Sequence, residues 1–83
     1  MNPPSGLHIH YFGLLAERRG LADETLPIAA RTPAELYASL AASHPLGIAA
    51  ESLRVAVNDE LVSWDHPLQA GDHVALLPPM SGG

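Results

Sequence analysis

The fold is decided by the stretch Leu7–Phe12, LHIHYF, whose residues alternate between two faces. Alternation over a short run is typical of a half-buried strand. This run puts Leu7, Ile9 and Tyr11 on the core face and His8, His10 and Phe12 on the opposite face. A second alternating run, His73–Leu77 (HVALL), predicts the final strand. Its core residues are Val74 and Leu76, and its outward residues are His73, Ala75 and Leu77.

Two further elements are predicted after the first strand. Residues Leu14–Arg19 form a short helix, closed by Gly20 at its C-terminal cap. A second strand is expected around Glu24–Leu26 and ends at Pro27. A hairpin-like return onto the first strand is expected.

The main helix has the clearest start signal in the chain. Thr32 suits the N-cap, Pro33 suits the first helical position, and Glu35 completes a capping box. The helix should end near Ser43, because Pro45 disfavours helical backbone at the residue before it. An apolar stripe at helical spacing is predicted to face the core: Leu36, Tyr37, Leu40 and Ala41.

Short strands and turns are predicted for the second half of the chain. A strand over Leu53–Asn58 should point Val55 and Val57 into the core and Ala56 outward. The remaining segments are a helical turn within residues 48–52, a turn at 58–59, a short strand at 60–62, an irregular crossing at 64–68 and a turn at 70–72.

This element order indicates an α+β fold. One main helix can cover one face of a mixed sheet of about five strands, with the first and last strands as central neighbours. The order suggests a ubiquitin-like β-grasp domain over residues 1–77. Residues 78–83 would then form a separate tail.

The tail, Pro78–Gly83 (PPMSGG), has an unusual composition for a chain end. Its two prolines favour an extended path that leaves the body as a short strut. Its two glycines lack a Cβ and are compatible with a narrow channel. Fully extended, it spans at most about 20 Å, enough to reach a pocket inside another protein. The group delivered there would be the terminal carboxylate of Gly83.

Composition excludes several functions. Eighty-three residues suffice for one small core but not for a deep, enclosed active site as well. The absence of cysteine excludes disulfides, thiolate metal sites and a cysteine nucleophile. A net charge of −5, with four arginines and no lysine, argues against nucleic acid. No stretch resembles a membrane span or a secretion signal, so a cytoplasmic protein without a membrane partner is expected.

The outward positions predict a docking surface at the root of the tail. Phe12 and Leu77 should lie together on neighbouring central strands, with Ala56 and Ala75 nearby and Leu61 at the edge. Such an exposed apolar patch is typical of a partner-binding surface. His8 and His10 could form half of a metal site, but no further ligand stands at suitable spacing, and they are interpreted as exposed strand histidines. A metalloenzyme that also uses His44, His66 or His73 remains a distant alternative.

Particular residues also resemble a known family. The most distinctive run is Leu61–Leu68, LVSWDHPL. Further matching residues are Phe12–Glu17, Gly20, Ala56–Asn58, Gly71–Asp72, Val74–Ala75, Pro78–Pro79 and Gly82–Gly83. Together they resemble the small, sulfur-carrying subunits of molybdopterin synthase, in the MoaD/ThiS group of ubiquitin-like sulfur carriers. Gly13 departs from the alanine that such proteins often have.

The resemblance implies a function. Gly83 would be adenylated with ATP by a separate E1-like enzyme and converted to a thiocarboxylate with sulfur from a donor protein. The tail would enter the large synthase subunit and give its sulfur to cyclic pyranopterin monophosphate, forming the dithiolene of molybdopterin. The chain would be a non-catalytic subunit and co-substrate, with no permanently bound cofactor or metal. The expected partner-binding residues are Phe12, Leu61, Ala75, Leu77, Pro78, Pro79, Met80, Ser81 and Gly82.

Two alternatives remain open. A sulfur carrier for thiamin thiazole synthesis would use the same chemistry with another recipient. A β-grasp interaction module would have terminal glycines without a chemical role.

Overall fold

Strands and helices follow one another as predicted in the part of the chain that the computed structural model describes, residues 6–27 and 30–78. The elements are β1 Gly6–Tyr11, α1 Leu14–Arg19, β2 Asp23–Pro27, α2 Pro33–Ser43, a 3₁₀ turn Ala50–Ser52, β3 Arg54–Val57, β4 Glu60–Val62 and β5 His73–Leu77. The ends of β1 and β3 differ by one residue from the predicted ends. Within these ranges, no helix has the length and apolar character needed to cross a membrane.

β1 and β5 lie side by side at the centre of the sheet. Among the described residues, five strands form one sheet in the order β2-β1-β5-β3-β4. β1 and β5 run parallel, with Ile9 opposite Val74, and the other neighbouring strands are antiparallel. The predicted mixed sheet with a central first and last strand is therefore confirmed.

Alternate residues of the central strands form the core. Leu7 and Ile9 of β1 and Val74 and Leu76 of β5 have no exposed surface, and Val55 of β3 is 1% exposed. Full burial of an aliphatic side chain of this size contributes about 1.5–3 kcal/mol relative to leaving it exposed. Slipping a strand by one residue would turn its core side chains to the other face, so burial fixes which residues face the core.

α2 contributes a buried stripe that differs from the prediction at one position. Leu36, Tyr37 and Leu40 belong to the same buried cluster as the strand residues. Ala41 is exposed, so its predicted place in the stripe is wrong, and Pro33 is buried instead. The positions 33, 36, 37 and 40 centre on one side of the helix. Residue 41 falls at the edge of that stripe, and its single methyl group is too short to reach inward.

Both ends of α2 are closed nearly as predicted. The amide of Glu35 donates to Thr32 Oγ1 (3.2 Å), and Glu35 Oε1 accepts from the amide of Arg31 (2.8 Å). The glutamate thus reaches one residue further back than in the standard capping box, where it would bind the N-cap amide. At the other end His44 has extended backbone, as a residue before proline favours.

A hydrogen-bonded triad connects β1, α1 and β2. Tyr11 Oη donates to Glu24 Oε2 (2.6 Å), and Arg19 donates to both carboxylate oxygens of Glu24, through Nε (2.8 Å) and Nη2 (2.7 Å). Burial raises the pKa of Glu24, but the hydrogen bonds from Arg19 and Tyr11 outweigh burial and hold that pKa below its usual range. Burial and the neighbouring carboxylate raise the pKa of Tyr11, so its phenol stays a donor at neutral pH.

Glu24→Gln is expected to lower the free energy of unfolding most near neutral pH. A carboxyl whose pKa is lower in the folded chain stabilises fully above its unfolded pKa, about 4.3 for glutamate. That contribution is lost as the pH falls through the lower, folded pKa. Urea unfolding followed by Trp64 fluorescence, repeated from about pH 7 to about pH 3, would show the difference between wild type and variant shrinking.

A second variant tests the same triad, and a third variant outside the triad is its control. Tyr11→Phe removes one donor to a charged group and should cost about 1.5–3 kcal/mol near neutral pH. Glu60→Gln, at an exposed position of β4, is the control and should change stability little at any pH. A difference between wild type and Glu24→Gln that stays constant with pH would contradict the linkage.

Candidate functional site

The root of the tail leaves the sheet from a central strand. β5 ends at Leu77, and the next residue, Pro78, is half-buried. A Cβ built on Gly13 would stand 3.2 Å from Pro78 Cγ, so the absence of a side chain at Gly13 makes room for the proline. Gly13 has a φ of 57°, in the left-handed region that glycine adopts at little cost. Pro78 therefore packs at the junction between β1 and α1.

The remaining tail residues lie outside the described residues. They are Pro79, Met80, Ser81, Gly82 and Gly83. Their roles in partner binding and in the chemistry at the carboxylate stay predictions, as does the division into a domain at 1–77 and a tail at 78–83.

The outward side of the sheet carries several predicted docking residues in one row across the strands. Leu61 is opposite Ala56, Ala56 is opposite Ala75, and Ala75 is opposite His10. Residues directly opposite each other share a face of the sheet. Leu61 is 65% exposed and Phe12 is 48% exposed, whereas Ala56, although on the outward side as predicted, is only 9% exposed.

This face is less apolar than the sequence predicts. Phe12 and Ala75 line a shallow cup together with four polar side chains, His10, Asn58, Asp59 and His73. Leu77 is opposite Arg54 of β3, close to the root of the tail. The outward face therefore carries apolar side chains interspersed with imidazole, amide, carboxylate and guanidinium groups. The use of these residues in partner binding stays a prediction.

The structure brings together three histidines on this face. His8 is opposite His73 in the β1–β5 register, and their rings stack with centroids 4.5 Å apart. A hydrogen bond joins His10 Nε2 and His73 Nδ1 (3.0 Å), and another joins His8 Nδ1 and Thr25 Oγ1 (3.1 Å). The sequence prediction missed this cluster because His10 and His73 are 63 residues apart in the chain. The sequence nevertheless contains a signal for this cluster. Alternation places His73 on the same outward face as His8 and His10, and the last strand is predicted to lie beside the first.

The other two histidines belong to different elements. His44 is the C-cap residue of α2, and the amide of His66 donates to the carbonyl of Ser63 (3.2 Å). Ser63 Oγ donates to Asp65 Oδ1 (2.5 Å), so residues 63–66 form a turn at the start of the predicted irregular crossing. In the part of the chain that the structure describes, no group of three or more His, Cys, Asp or Glu side chains is arranged to hold a metal ion.

Topology and family comparison together identify the class of protein. A mixed sheet with parallel first and last strands at its centre, and one main helix on one face, defines a ubiquitin-like β-grasp protein. The model of the ThiS family matches residues 9–83. The chain therefore belongs to the ThiS family.

Two curated relatives are molybdopterin synthase sulfur carrier subunits. The chain is 61% identical to the protein of Escherichia coli K12 over 31 residues, which cover 37% of this chain and 38% of that protein. It is 32% identical to the protein of Homo sapiens over 88 aligned positions, which cover 100% of both chains. The predicted resemblance to this group of subunits is confirmed.

One solved structure adds an assembly. The protein–protein complex of subunits 1 and 2 of the molybdopterin-converting factor from Helicobacter pylori contains a chain that is 32% identical to this one. The TM-score is 0.65, and the match covers 94% of this chain and 99% of that chain. The β-grasp fold thus occurs there in a two-subunit complex.

We expect a leucine-to-alanine substitution to lower the free energy of unfolding by different amounts on the two faces of the sheet. Leu76→Ala, on the core face, should lower the free energy of unfolding by about 2–5 kcal/mol because it leaves a cavity. Leu61→Ala, at a position 65% exposed, should change it by no more than about 0.5 kcal/mol. Urea unfolding of both variants measures the difference, and equal losses would contradict the assignment of the faces.

Proposed function

We propose that this chain is the sulfur carrier subunit of a molybdopterin synthase and that the carboxylate of Gly83 carries the sulfur. The observation that carries the proposal is the similarity to the human molybdopterin synthase sulfur carrier subunit over the whole of both chains. The family match also runs to residue 83. The similarity therefore includes the predicted tail as well as the β-grasp domain.

The position of β5 suits a strand that presents a tail. β5 pairs with β1 on one side and β3 on the other, and its residues Val74 and Leu76 have no exposed surface. Pro78, packed against Gly13, extends this anchoring to the root of the tail. A tail that starts from a fixed point loses less conformational freedom when a partner binds it.

Gly83 would need activation before it accepts sulfur, because an ionised carboxylate is a poor electrophile. Attack of the carboxylate on the α-phosphorus of ATP would form an acyl adenylate and release pyrophosphate. A sulfide equivalent from a donor protein would then displace AMP and leave a thiocarboxylate. The chain has no cysteine and no lysine, so no side-chain thiol or amine of its own competes for the activated acyl group.

The thiocarboxylate would act as the nucleophile in the second half of the cycle. Its sulfur would attack an electrophilic carbon of cyclic pyranopterin monophosphate in the pocket of the large subunit, forming a carbon–sulfur bond while an oxygen substituent leaves that carbon. Water would then cleave the acyl–sulfur bond, leaving sulfur on the pterin and the carboxylate on Gly83. ATP would be used by the activating enzyme and would not be a bound cofactor of this chain.

Three partners follow from this cycle: the large synthase subunit, an E1-like adenylating enzyme and a sulfur donor protein. The two-subunit complex from Helicobacter pylori supports the first of them. The large subunit would cover Phe12, Ala75 and Leu61 while it accepts the tail. Exposed apolar side chains among polar ones are typical of an interface core with a polar rim.

The test of the chemistry is modification of Gly83. Incubation of the chain with a molybdopterin synthase adenylating enzyme, ATP and a sulfur source is expected to replace one carboxylate oxygen by sulfur. Intact-mass and fragment-ion spectrometry would detect the change and assign it to the last residue. The matched control carries one alanine added after Gly83 and should stay unmodified. No change in the natural chain with a competent enzyme, or equal modification of both chains, would overturn the proposal.

The test of the docking surface is binding to the large subunit, measured by isothermal titration. Phe12→Glu and Leu61→Glu should each weaken binding at least about tenfold, because burying an unpaired carboxylate costs more than the roughly 1.4 kcal/mol that a tenfold change represents. Leu21→Glu is the matched control, since Leu21 is also exposed (40%) but precedes β2. An equal loss in all three variants would mean that this face is not the docking surface.

Sulfur transfer for thiamin thiazole synthesis is the second candidate, because the matching family model carries the ThiS description. It would use the same chemistry at Gly83 and a different recipient. Capture of partners by the natural chain distinguishes the two, since each pathway has its own acceptor protein. An interaction module without sulfur transfer would keep its function after deletion of Gly83.

A further inference from the structure

The shallow cup on the outward face includes a carboxylate on a well-defined turn. Asp59 lines the cup and belongs to the two-residue turn between β3 and β4. Asn58 and Asp59 have φ angles of 51° and 72°, the left-handed conformation that such hairpin turns require and that Asn and Asp tolerate. The turn therefore sets the position of the Asp59 backbone.

Hydrogen bonds to β5 and to the loop before it hold this turn in place. The amide of Asn58 donates to the carbonyl of His73 (2.8 Å), and the amide of His73 donates to Asn58 Oδ1 (3.0 Å). Asn58 Nδ2 donates to Asp72 Oδ1 (3.0 Å), and Asp72 Oδ2 accepts from the amide of Gln69 (2.9 Å). A turn that is fixed before a partner arrives loses less conformational freedom on binding.

The Asp59 carboxylate lacks an ion pair within the described part of the chain, residues 6–27 and 30–78. The one salt bridge there joins Arg19 to Glu24. The chain contains no lysine, and its arginines are placed elsewhere. They are Arg18 and Arg19 of α1, Arg31 before α2 and Arg54 at the start of β3, the far end of that strand from the turn. The carboxylate is therefore available to a cation from a partner.

The other groups of the cup favour a guanidinium over an ammonium group. Phe12 is 48% exposed, so a partner can cover its ring, and the rings of His10 and His73 lie nearly parallel, at 17°. The planar guanidinium of arginine stacks on aromatic rings and can bind a carboxylate through two parallel N–H donors. The volume of the cup, about 390 Å³, is near the lower end of the range for ligand sites, about 300–1,000 Å³, and suits a single side chain.

We propose that the cup receives an arginine side chain of the large synthase subunit, which pairs with Asp59 and stacks on Phe12. This inference rests on the proposed function and adds the chemistry by which the partner recognises this face. Ala75 of the cup precedes Pro78 by three residues, or roughly 10 Å of extended strand. A standard interface buries about 800 Å² on each partner, equivalent to a disc of roughly 16 Å radius. A subunit that surrounds the tail root therefore reaches the cup.

Covering the cup also removes water from the Asp59 carboxylate. A buried carboxylate without a partner is unfavourable, whereas one that is paired with a hydrogen-bonding cation is tolerated. Since no arginine of this chain lines the cup, the cation has to come from the large subunit. The net charge of −5 favours the same arrangement, because opposite charges speed the encounter of two proteins.

The experiment is isothermal titration of the full chain and its variants with the large subunit. Asp59→Asn keeps the size of the side chain and its tolerance of positive φ but removes its charge, and should weaken binding at least about tenfold. Asp65→Asn is the matched control. Asp65 is exposed in the turn at residues 63–66, and the variant keeps an oxygen that accepts from Ser63 Oγ, so binding should not change.

Salt dependence separates a charge pair from a loss of shape. Raising NaCl from about 0.05 M to about 0.5 M should weaken binding of the natural chain more than binding of Asp59→Asn, because the natural chain has one more charge pair to screen. Equal affinity of the natural chain and Asp59→Asn, or equal losses in Asp59→Asn and Asp65→Asn, would overturn this inference alone, since modification of Gly83 is measured separately. No binding by the natural chain would overturn it together with the proposed docking surface.

A footprint identifies the type of side chain that enters the cup. Phenylglyoxal, which modifies accessible arginines, is applied to the large subunit alone and to the subunit saturated with the natural chain or with Asp59→Asn. Mass spectrometry of its peptides should show one arginine that the natural chain protects and Asp59→Asn does not. The same protection by both chains, or a lysine that shows this pattern in a parallel acetylation experiment, would overturn the assignment of an arginine.

Discussion

The parallel pairing of β1 with β5 is the interaction on which the rest of this structure depends. It sets Ile9 opposite Val74 and Tyr11 opposite Leu76, and these four side chains are almost fully buried. The same backbone hydrogen bonds place the last strand, and with it the root of the tail, at the centre of the sheet rather than at its edge. Parallel strands pair only after a long connection has closed, so the helices and loops between them must fold compatibly with that one contact.

Parallel strands are usually covered on both faces, but no helix or second sheet in the part of the chain that the structure describes covers the outward face of the central pair. The side chains on this outward face are compatible with exposure to water. His8, His10 and His73 occupy outward positions of β1 and β5, where a soluble parallel sheet would normally carry aliphatic residues. An imidazole combines an apolar ring face with two polar nitrogens, so it tolerates both water and contact with a partner. Phe12 and Leu61 add apolar area that a partner can bury. The face is thus compatible with a free state and with a covered state.

Local patterns were sufficient to predict the elements and the two faces of the sheet. The bounds of α1, the Thr32 N-cap and C-terminal end of α2, and the alternation in β1 and β5 depend on neighbours within a few residues, and all of them are found in the structure. The Glu35 half of the capping box differs, because its carboxylate accepts from the amide of Arg31. The prediction that Ala41 faces the core was wrong, because residue 41 lies at the edge of the buried stripe of α2. A small side chain at that position does not reach the core.

The alternation of side chains along each strand was not enough to predict the histidine cluster or the pairing of Arg54 with Leu77. A shift of the register by two residues would keep every side chain on its face and yet change each opposing pair. The sequence therefore predicted the face of His73 but not its neighbours. For Leu77 it predicted Phe12 as a neighbour but not Arg54. What fixes the register is the packing of the complete core, which no short run of residues contains.

Residues 11–13, where β1 ends, contribute both to the stability of the fold and to the candidate site. Tyr11 points inward and binds Glu24, which also binds Arg19 of α1. Phe12 points outward into the cup, and Gly13 gives Pro78 the room to pack. Because successive residues of an extended chain point to opposite sides, the core, the outward face and the tail root can all use one short segment. A change that rotated this segment would disturb all three together, so the position of Pro78 at the root of the tail is coupled to the surface beside it.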